Sequence, residues 1–209
     1  MTHDSRPTTT VWLARHGEVH NPGELLYGRL PRIRLSPEGQ RQAQALADFL
    51  APRPLQAVYS SPMLRARKTA ALIVARQADP RPRVRIDRDL TEIRTGWQGE
   101  PLAHLQGINW DFYSHPRSEQ DESIAAIHER MRRWLERALR RHPGGEVVGV
   151  SHGDPILILV GALRGLPLDS RHIFPTPYIR PATLFRLEFD AAQRCRGVEQ
   201  LVPYEDVAA

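Results

Sequence analysis

Three short apolar runs, Val11-Trp12-Leu13-Ala14, Ala57-Val58-Tyr59-Ser60 and Val147-Val148-Gly149-Val150, are separated by long segments with helical periodicity. Each run is too short for a helix and almost free of polar residues, the pattern of a strand covered on both faces. Strands alternating with helices predict a single α/β domain with a mostly parallel central sheet and helices on both faces. Two of the runs also end alike. Val11–Ala14 leads into Arg15-His16-Gly17-Glu18, and Val147–Val150 leads into Ser151-His152-Gly153. Open α/β sheets keep their sites beyond the carboxyl ends of the strands, so two such turns can bring two imidazoles to one sheet edge.

The segments between the runs carry their own punctuation. Ser36-Pro37-Glu38 supplies an N-cap, a proline at the first helical position and an acid in the first turn; Ala43, Leu46, Ala47 and Leu50 then share one face, and Pro52 ends the helix. Ser61-Pro62 predicts the start of a second helix running to about Ala78, followed by the breaker Pro80–Pro82 and a short edge strand over Val84–Ile86. Gly96 to Arg117 has no clear period and reads as a mostly irregular excursion, with Trp97, Trp110, Phe112 and Tyr113 as core or lid packing. A long amphipathic helix spans about Glu122 to Arg141, and its Arg130, Arg132, Arg133, Arg137, Arg140 and Arg141 read as a solvated face. Asp154-Pro155 opens a largely apolar helix closed by Gly165-Leu166-Pro167, and Thr183 to Phe189 is the last expected strand. Nothing repeats beyond the two histidine turns and no linker is visible, so the expected organisation is a flexible tail over 1–10 and one catalytic domain over 11–209.

Composition narrows the class of function. The chain has 209 residues, 41% hydrophobic and 25% charged, with a formal net charge of +5 in which Lys68 is the sole lysine. An arginine-dominated charge suits phosphate or carboxylate ligands. The arginines are scattered and not interleaved with spaced aromatics, which argues against nucleic acid as a partner. Cys195 stands alone, so no internal disulfide and no cysteine-based zinc site can form, and a reducing, cytoplasmic location is expected. The first ten residues lack the apolar core of a secretory signal, and the apolar stretch Pro155–Gly165 is too short to cross a membrane. His3, His20, His104, His115, His128, His142 and His172 show no metal-ligand spacing on one face, so neither a metal site nor a cofactor is expected.

Two further turns add chemistry. Ser60-Ser61-Pro62-Met63-Leu64-Arg65 sets an arginine in the first turn of a helix, where backbone amides already favour anions. Glu92-Ile93-Arg94-Thr95-Gly96 offers an acid next to a glycine turn. Arg15, His16, Arg65, Glu92 and His152 together could hold a phosphoryl dianion, attack it and protonate the leaving oxygen. The alternatives at single positions are a histidine exposed on a turn and, for Glu92, simple pairing with a neighbouring arginine.

With these residues in order, the chain resembles the histidine phosphatase superfamily, the phosphoglycerate-mutase-like enzymes. The resemblance runs from Val11 to about Pro181 and rests on Arg15-His16-Gly17-Glu18, on Ser60-Ser61 with Arg65-Ala66 and Thr69-Ala70, on Glu92 with Gly96, and on Val150-Ser151-His152-Gly153. It implies that His16 is the nucleophile, forming a phosphohistidine that water hydrolyses. Arg15, Arg65 and His152 would clamp the phosphoryl oxygens, and Glu92 would act as proton donor and then as base. A nucleophilic histidine must be neutral and a clamping one works best protonated, so two separated imidazole pKa values are expected. The resemblance also suggests Asn21 and Gly28 as pocket residues, although Asn21 falls one residue before the commonest family position. Arg29, Arg32 and Arg34, with Arg94, read either as solvated charge or as a site for a second anionic group on the substrate.

The family's frequent Gly-x-Trp-Glu-Gly appears here shortened, as Gly96-Trp97-Gln98-Gly99, and this leaves the substrate open. The implied activity is that of a metal-independent, acid-type histidine phosphatase acting on a small phosphorylated metabolite; the sequence is compatible with a homodimer and leaves the oligomeric state open. The alternatives are a cofactor-dependent phosphoglycerate mutase and, behind it, a non-catalytic phospho-ligand binding protein. Mutases of the superfamily are generally longer, with insertions that exclude water, and this shorter chain favours hydrolysis.

Overall fold

The computed structural model describes residues 8–204. Its centre is a six-stranded sheet in the order β3-β2-β4-β1-β5-β6, formed by β1 (Thr9–Arg15), β2 (Leu55–Ser60), β3 (Val84–Ile86), β4 (Glu146–Ser151), β5 (Leu184–Phe189) and β6 (Cys195–Leu201). The first four strands pair in parallel, and β5 and β6 add an antiparallel extension on the side of β1. The expected α/β sheet is therefore observed, and β1 lies directly beside β4, with Arg15 opposite Ser151.

Because side chains alternate along a strand, each apolar run feeds two layers. Val11 and Leu13 of β1, Ala57 and Tyr59 of β2 and Val147 of β4 face one layer, while Trp12, Ala14, Val58, Val148 and Val150 face the other. Helices α1 (Pro37–Leu50) and α2 (Leu64–Ala75) cover the second set through Leu46, Ala47, Leu50, Ala66, Ala70 and Ile73. On the opposite face lie α4 (Ile124–Arg141) and α5 (Gly153–Leu163), which follow the short α3 (Leu102–Gln106). The α4 indole of Trp134 lies so close over β4 that a Cβ on Gly149 would sit 2.4 Å from its ring, so this strand position requires glycine.

Helix ends follow the expected chemistry. Ser36 Oγ accepts from Gly39 N (2.9 Å) at α1, and Ser123 Oγ accepts from Ala126 N (3.1 Å) at α4. Gly165 takes a positive φ of 73° just after α5. The short α6 (Ser170–Ile173) precedes the loop back to β5.

Four differences from the sequence reading have physical causes. Thr9 and Thr10, assigned to the tail, belong to β1: Thr10 pairs with Glu146, and Thr9 Oγ1 accepts from Gly144 N. The expectation for 1–7 lies outside the described residues. The second helix opens at Leu64 instead of at Ser61-Pro62, because Ser61 N still donates to Val150 O (2.9 Å) at the end of the sheet and the residue before a proline disfavours helical backbone. It ends at Ala75, short of Ala78. Strand β6 was missed because its polar, partly exposed edge sequence carries little apolar signal. Among the described residues no helix is long and apolar enough to cross a membrane.

Candidate active site

The carboxyl ends of β1, β2 and β4 converge on Arg65. This side chain, projected from the first turn of α2, is 0% exposed and contacts four residues of the cluster. Its Nε–H donates to His16 Nε2 (3.0 Å); its Nη2 donates to Gly28 O (2.8 Å) and faces His152 Nδ1 (3.1 Å) and Glu92 Oε2 (3.4 Å). One guanidinium thus ties the two histidine turns, the glycine loop and the candidate acid into one cluster.

The hydrogen bonds assign the imidazole tautomers. His16 Nδ1–H donates to Gly17 O (2.7 Å), which leaves the Nε2 lone pair facing the cluster, where it accepts from Arg65 Nε–H. His152 is held the other way round: Nε2–H donates to Ser61 Oγ (2.8 Å), and Nδ1 faces Arg65 and Glu92. The rings lie 5.1 Å apart between centroids at 64°. Backbone close packing fixes the first turn, since a Cβ on Gly17 would lie 2.2 Å from Gly39 O and one on Gly39 would lie 1.9 Å from Glu18 O. Gly17 N also donates to Thr69 Oγ1 (3.3 Å) of α2.

Burial sets the protonation states. It holds His16 well below the usual histidine range, and the charges of Arg65 and Arg15 push in the same direction. His152 is depressed for the same first reason, then by Arg65 and His16. Both imidazoles are thus pushed toward the neutral form, and the charge of a bound dianion would favour the protonated form of His152. Glu92 is pushed up by burial, with Arg65 opposing and Asp154 reinforcing, so its carboxyl holds a proton to higher pH than an exposed glutamate.

On the two candidate clamp arginines, two buried donors have no partner among the described residues. Arg65 Nη1 and Arg15 Nε are both unpaired, although buried polar groups are ordinarily satisfied. Arg15 is oriented by Nη1 donating to Ile179 O and by stacking on the Tyr178 ring (5.2 Å). Orphaned guanidinium donors on the two arginines whose charges act on His16 make a receptor for an oxyanion. The nearest ligand atoms of His16, Glu92 and His152 lie within 4.8 Å of one another, a spacing open to a cation, but they converge on the Arg65 guanidinium, which already supplies positive charge there.

The remaining sequence candidates divide. Gly28 belongs to the cluster through its carbonyl and has a φ of 40°. Asn21 is engaged in its own loop, its Nδ2 donating to Leu25 O (2.9 Å) and its Oδ1 accepting from Leu25 N (3.2 Å). Arg29, read either as solvated charge or as a contact for a second anionic group, donates from Nε to Glu92 O (2.7 Å) and from Nη2 to Glu122 Oε2 (2.8 Å). Arg94 is exposed, and its amide donates to Glu122 Oε2 (2.8 Å). Arg130, expected on a solvated helix face, is buried against Glu122, Asp89 O and Glu92 O.

Sequence reasoning missed Ser61 as the partner of His152, and Tyr27, whose ring lies 4.7 Å under the Arg65 guanidinium. It also missed Asp154, which accepts from Tyr113 OH (2.7 Å) of the excursion and from Tyr178 OH. Ser61 could have been found from its place beside Arg65. The tyrosines carry no local signal, because they reach Asp154 only through tertiary folding.

Comparison with known proteins places the chain in a family. The chain is 40% identical over 163 residues to the Mycobacterium tuberculosis protein Rv0525, covering 75% of this chain and 79% of that one. It is 33% identical over 166 residues to phosphoserine phosphatase 1 of Hydrogenobacter thermophilus, covering 75% and 77%. Among solved structures, the mycobacterial glucosyl-3-phosphoglycerate phosphatase Rv2419c superposes with a TM-score of 0.76 at 25% identity, over 93% of this chain and 98% of that one. The family model of the histidine phosphatase superfamily (branch 1) matches residues 11–197, nearly the whole sheet and every residue of the Arg65 cluster, and the chain belongs to that superfamily.

Proposed function

We propose that the protein is a metal-independent phosphatase of small phosphomonoesters that works through a phosphohistidine on His16. The observation that carries this reading is the pairing of a neutral His16 with its Nε2 lone pair directed inward and two buried guanidinium donors, Arg65 Nη1 and Arg15 Nε, that have no partner among the described residues. Relatives named as phosphoserine and glucosyl-3-phosphoglycerate phosphatases support hydrolysis over transfer to a second substrate.

The chemistry follows from the atoms. His16 Nε2 attacks phosphorus, the bond from phosphorus to the ester oxygen breaks, and Glu92 delivers its proton to that oxygen. Arg15, Arg65 and His152 hold the equatorial oxygens, which keep their charge throughout. Glu92, now a carboxylate, takes a proton from water; the resulting hydroxide attacks phosphorus, the phosphorus–nitrogen bond breaks, and inorganic phosphate and neutral His16 return.

Phosphate release from a panel of phosphomonoesters, without added metal, tests the reading. Turnover by the wild type that is absent in His16→Ala is expected. Turnover that survives in His16→Ala, or that chelators abolish and a divalent cation restores, would contradict it.

A further inference from the structure

The loop that carries Glu92 is not held by its own packing alone. Glu92 O accepts from Arg29 Nε (2.7 Å) and, at longer range, from Arg130 Nη2 (3.5 Å). Both arginines are gripped by Glu122, the second residue before α4: Arg29 Nη2 at 2.8 Å, Arg130 Nε at 3.0 Å and Arg130 Nη2 at 3.3 Å. Glu122 also binds the far side of the same turn, since its Oε2 accepts from Arg94 N (2.8 Å) and its own amide donates to Arg94 O (2.9 Å). The adjacent Asp121 accepts from Gly96 N (2.7 Å) and Arg117 N (2.9 Å), closing the next turn, where a Cβ on Gly96 would lie 2.8 Å from that of Arg117.

We infer that Glu122 is the positioning residue for the proton donor: through Arg29 and Arg130 it fixes the Glu92 peptide, and so the place of the Glu92 carboxyl relative to Arg65 and the leaving oxygen. The inference rests on the acid role of Glu92 proposed above. The pairs are only partly screened, with side-chain exposures of 23% for Arg29, 19% for Glu122 and 8% for Arg130, so their geometry is better defined than that of surface pairs. Among the described residues, the partners of His16 and Arg15 do not include Glu122, Arg29 or Arg130, so losing the Glu122 charge should displace the acid and leave the nucleophile and the Arg15 clamp in place. Glu122 carries out no bond change itself.

This arrangement predicts a kinetic signature that a merely structural residue would not give. Esters with poor alkyl leaving groups need the proton, and nitrophenyl phosphate does not. In Glu122→Gln, kcat/KM for an alkyl phosphate such as glycerol phosphate should fall about tenfold or more, while that for nitrophenyl phosphate stays within about threefold. Competitive inhibition by inorganic phosphate should be unchanged. Glu122→Asp should recover part of the alkyl-ester rate and serves as the second variant if Glu122→Gln folds poorly; Glu92→Gln, run beside both, should show the same leaving-group dependence more strongly. Dependence in Glu92→Gln with equal losses on both esters in the Glu122 variants would overturn the positioning role alone. Equal losses in Glu92→Gln would overturn the acid assignment, and this inference with it.

Discussion

The turns after β1 and β4 begin from nearly the same sequence, Arg-His-Gly and Ser-His-Gly, at neighbouring parallel strands, yet present opposite imidazole nitrogens to the site. His16 is oriented by the carbonyl of the next residue and exposes Nε2; His152 is oriented by Ser61, a side chain from the end of β2, and exposes Nδ1. Their exits differ too. Gly17 enters a loop pressed against the start of α1, whereas Gly153 begins α5, so His152 stands at a helix N-terminus where anions are favoured. One turn is built to offer a lone pair, the other to face an anion. The same local sequence acquires two roles because its second hydrogen bond comes from a different place.

Removing each ring breaks the comparison most sharply. His16→Ala should lower kcat by about 10⁴-fold or more, and His152→Ala by about 10²-fold, because the first loses the bond-forming atom and the second a clamp. Comparable losses in steady-state assays would make the turns equivalent. The glycines separate the turns by stability. Gly17→Ala forces a Cβ against the backbone of Gly39 and should cost about 3 kcal/mol in denaturant unfolding; Gly153→Ala meets the hydroxyl and ring of Tyr178, a side chain that can shift by giving up its Asp154 bond, and should cost about 2 kcal/mol. Equal costs would mean that the α1 contact is as pliable as a side chain.

Ser61→Ala sharpens the contrast more gently. It removes the acceptor for His152 Nε2–H, frees the other tautomer and should lower kcat about tenfold, while the fraction of enzyme trapped as phosphohistidine still maps to His16. An unchanged kcat would show that the tautomer of His152 is set elsewhere. The smallest effect is on pH. The depressed His16 stays neutral in mild acid, so kcat/KM should hold below the usual histidine range; the raised Glu92 loses its proton as pH increases, so turnover of alkyl esters alone should fall on that side. A nitrophenyl ester with the same alkaline decline would detach that limb from Glu92.

What the sequence disclosed and what it hid follow one rule. Strand–turn–helix junctions were legible because the apolar runs, Ser36-Pro37 and the glycines act locally; they located Arg15, His16, Arg65 and His152 at one sheet edge. Glu92 was legible as an acid beside a turn. Arg130 was misread, and the Glu122 pairing of Arg29 was hidden, because an arginine looks solvated or substrate-binding until a distant acid takes it up, and Glu122 lies 93 residues beyond Arg29. The Tyr113–Asp154–Tyr178 cluster was hidden for the same reason, and β6 because a polar edge strand need not alternate cleanly.

The most direct test of the inequivalence of the two turns is to quench turnover of a radiolabelled phosphomonoester in alkali and locate the label by peptide mapping. Acid-labile, alkali-stable label on the peptide holding His16, present in the wild type and in His152→Ala and absent in His16→Ala, is the predicted result. Label on the peptide holding His152, or on both, would contradict it.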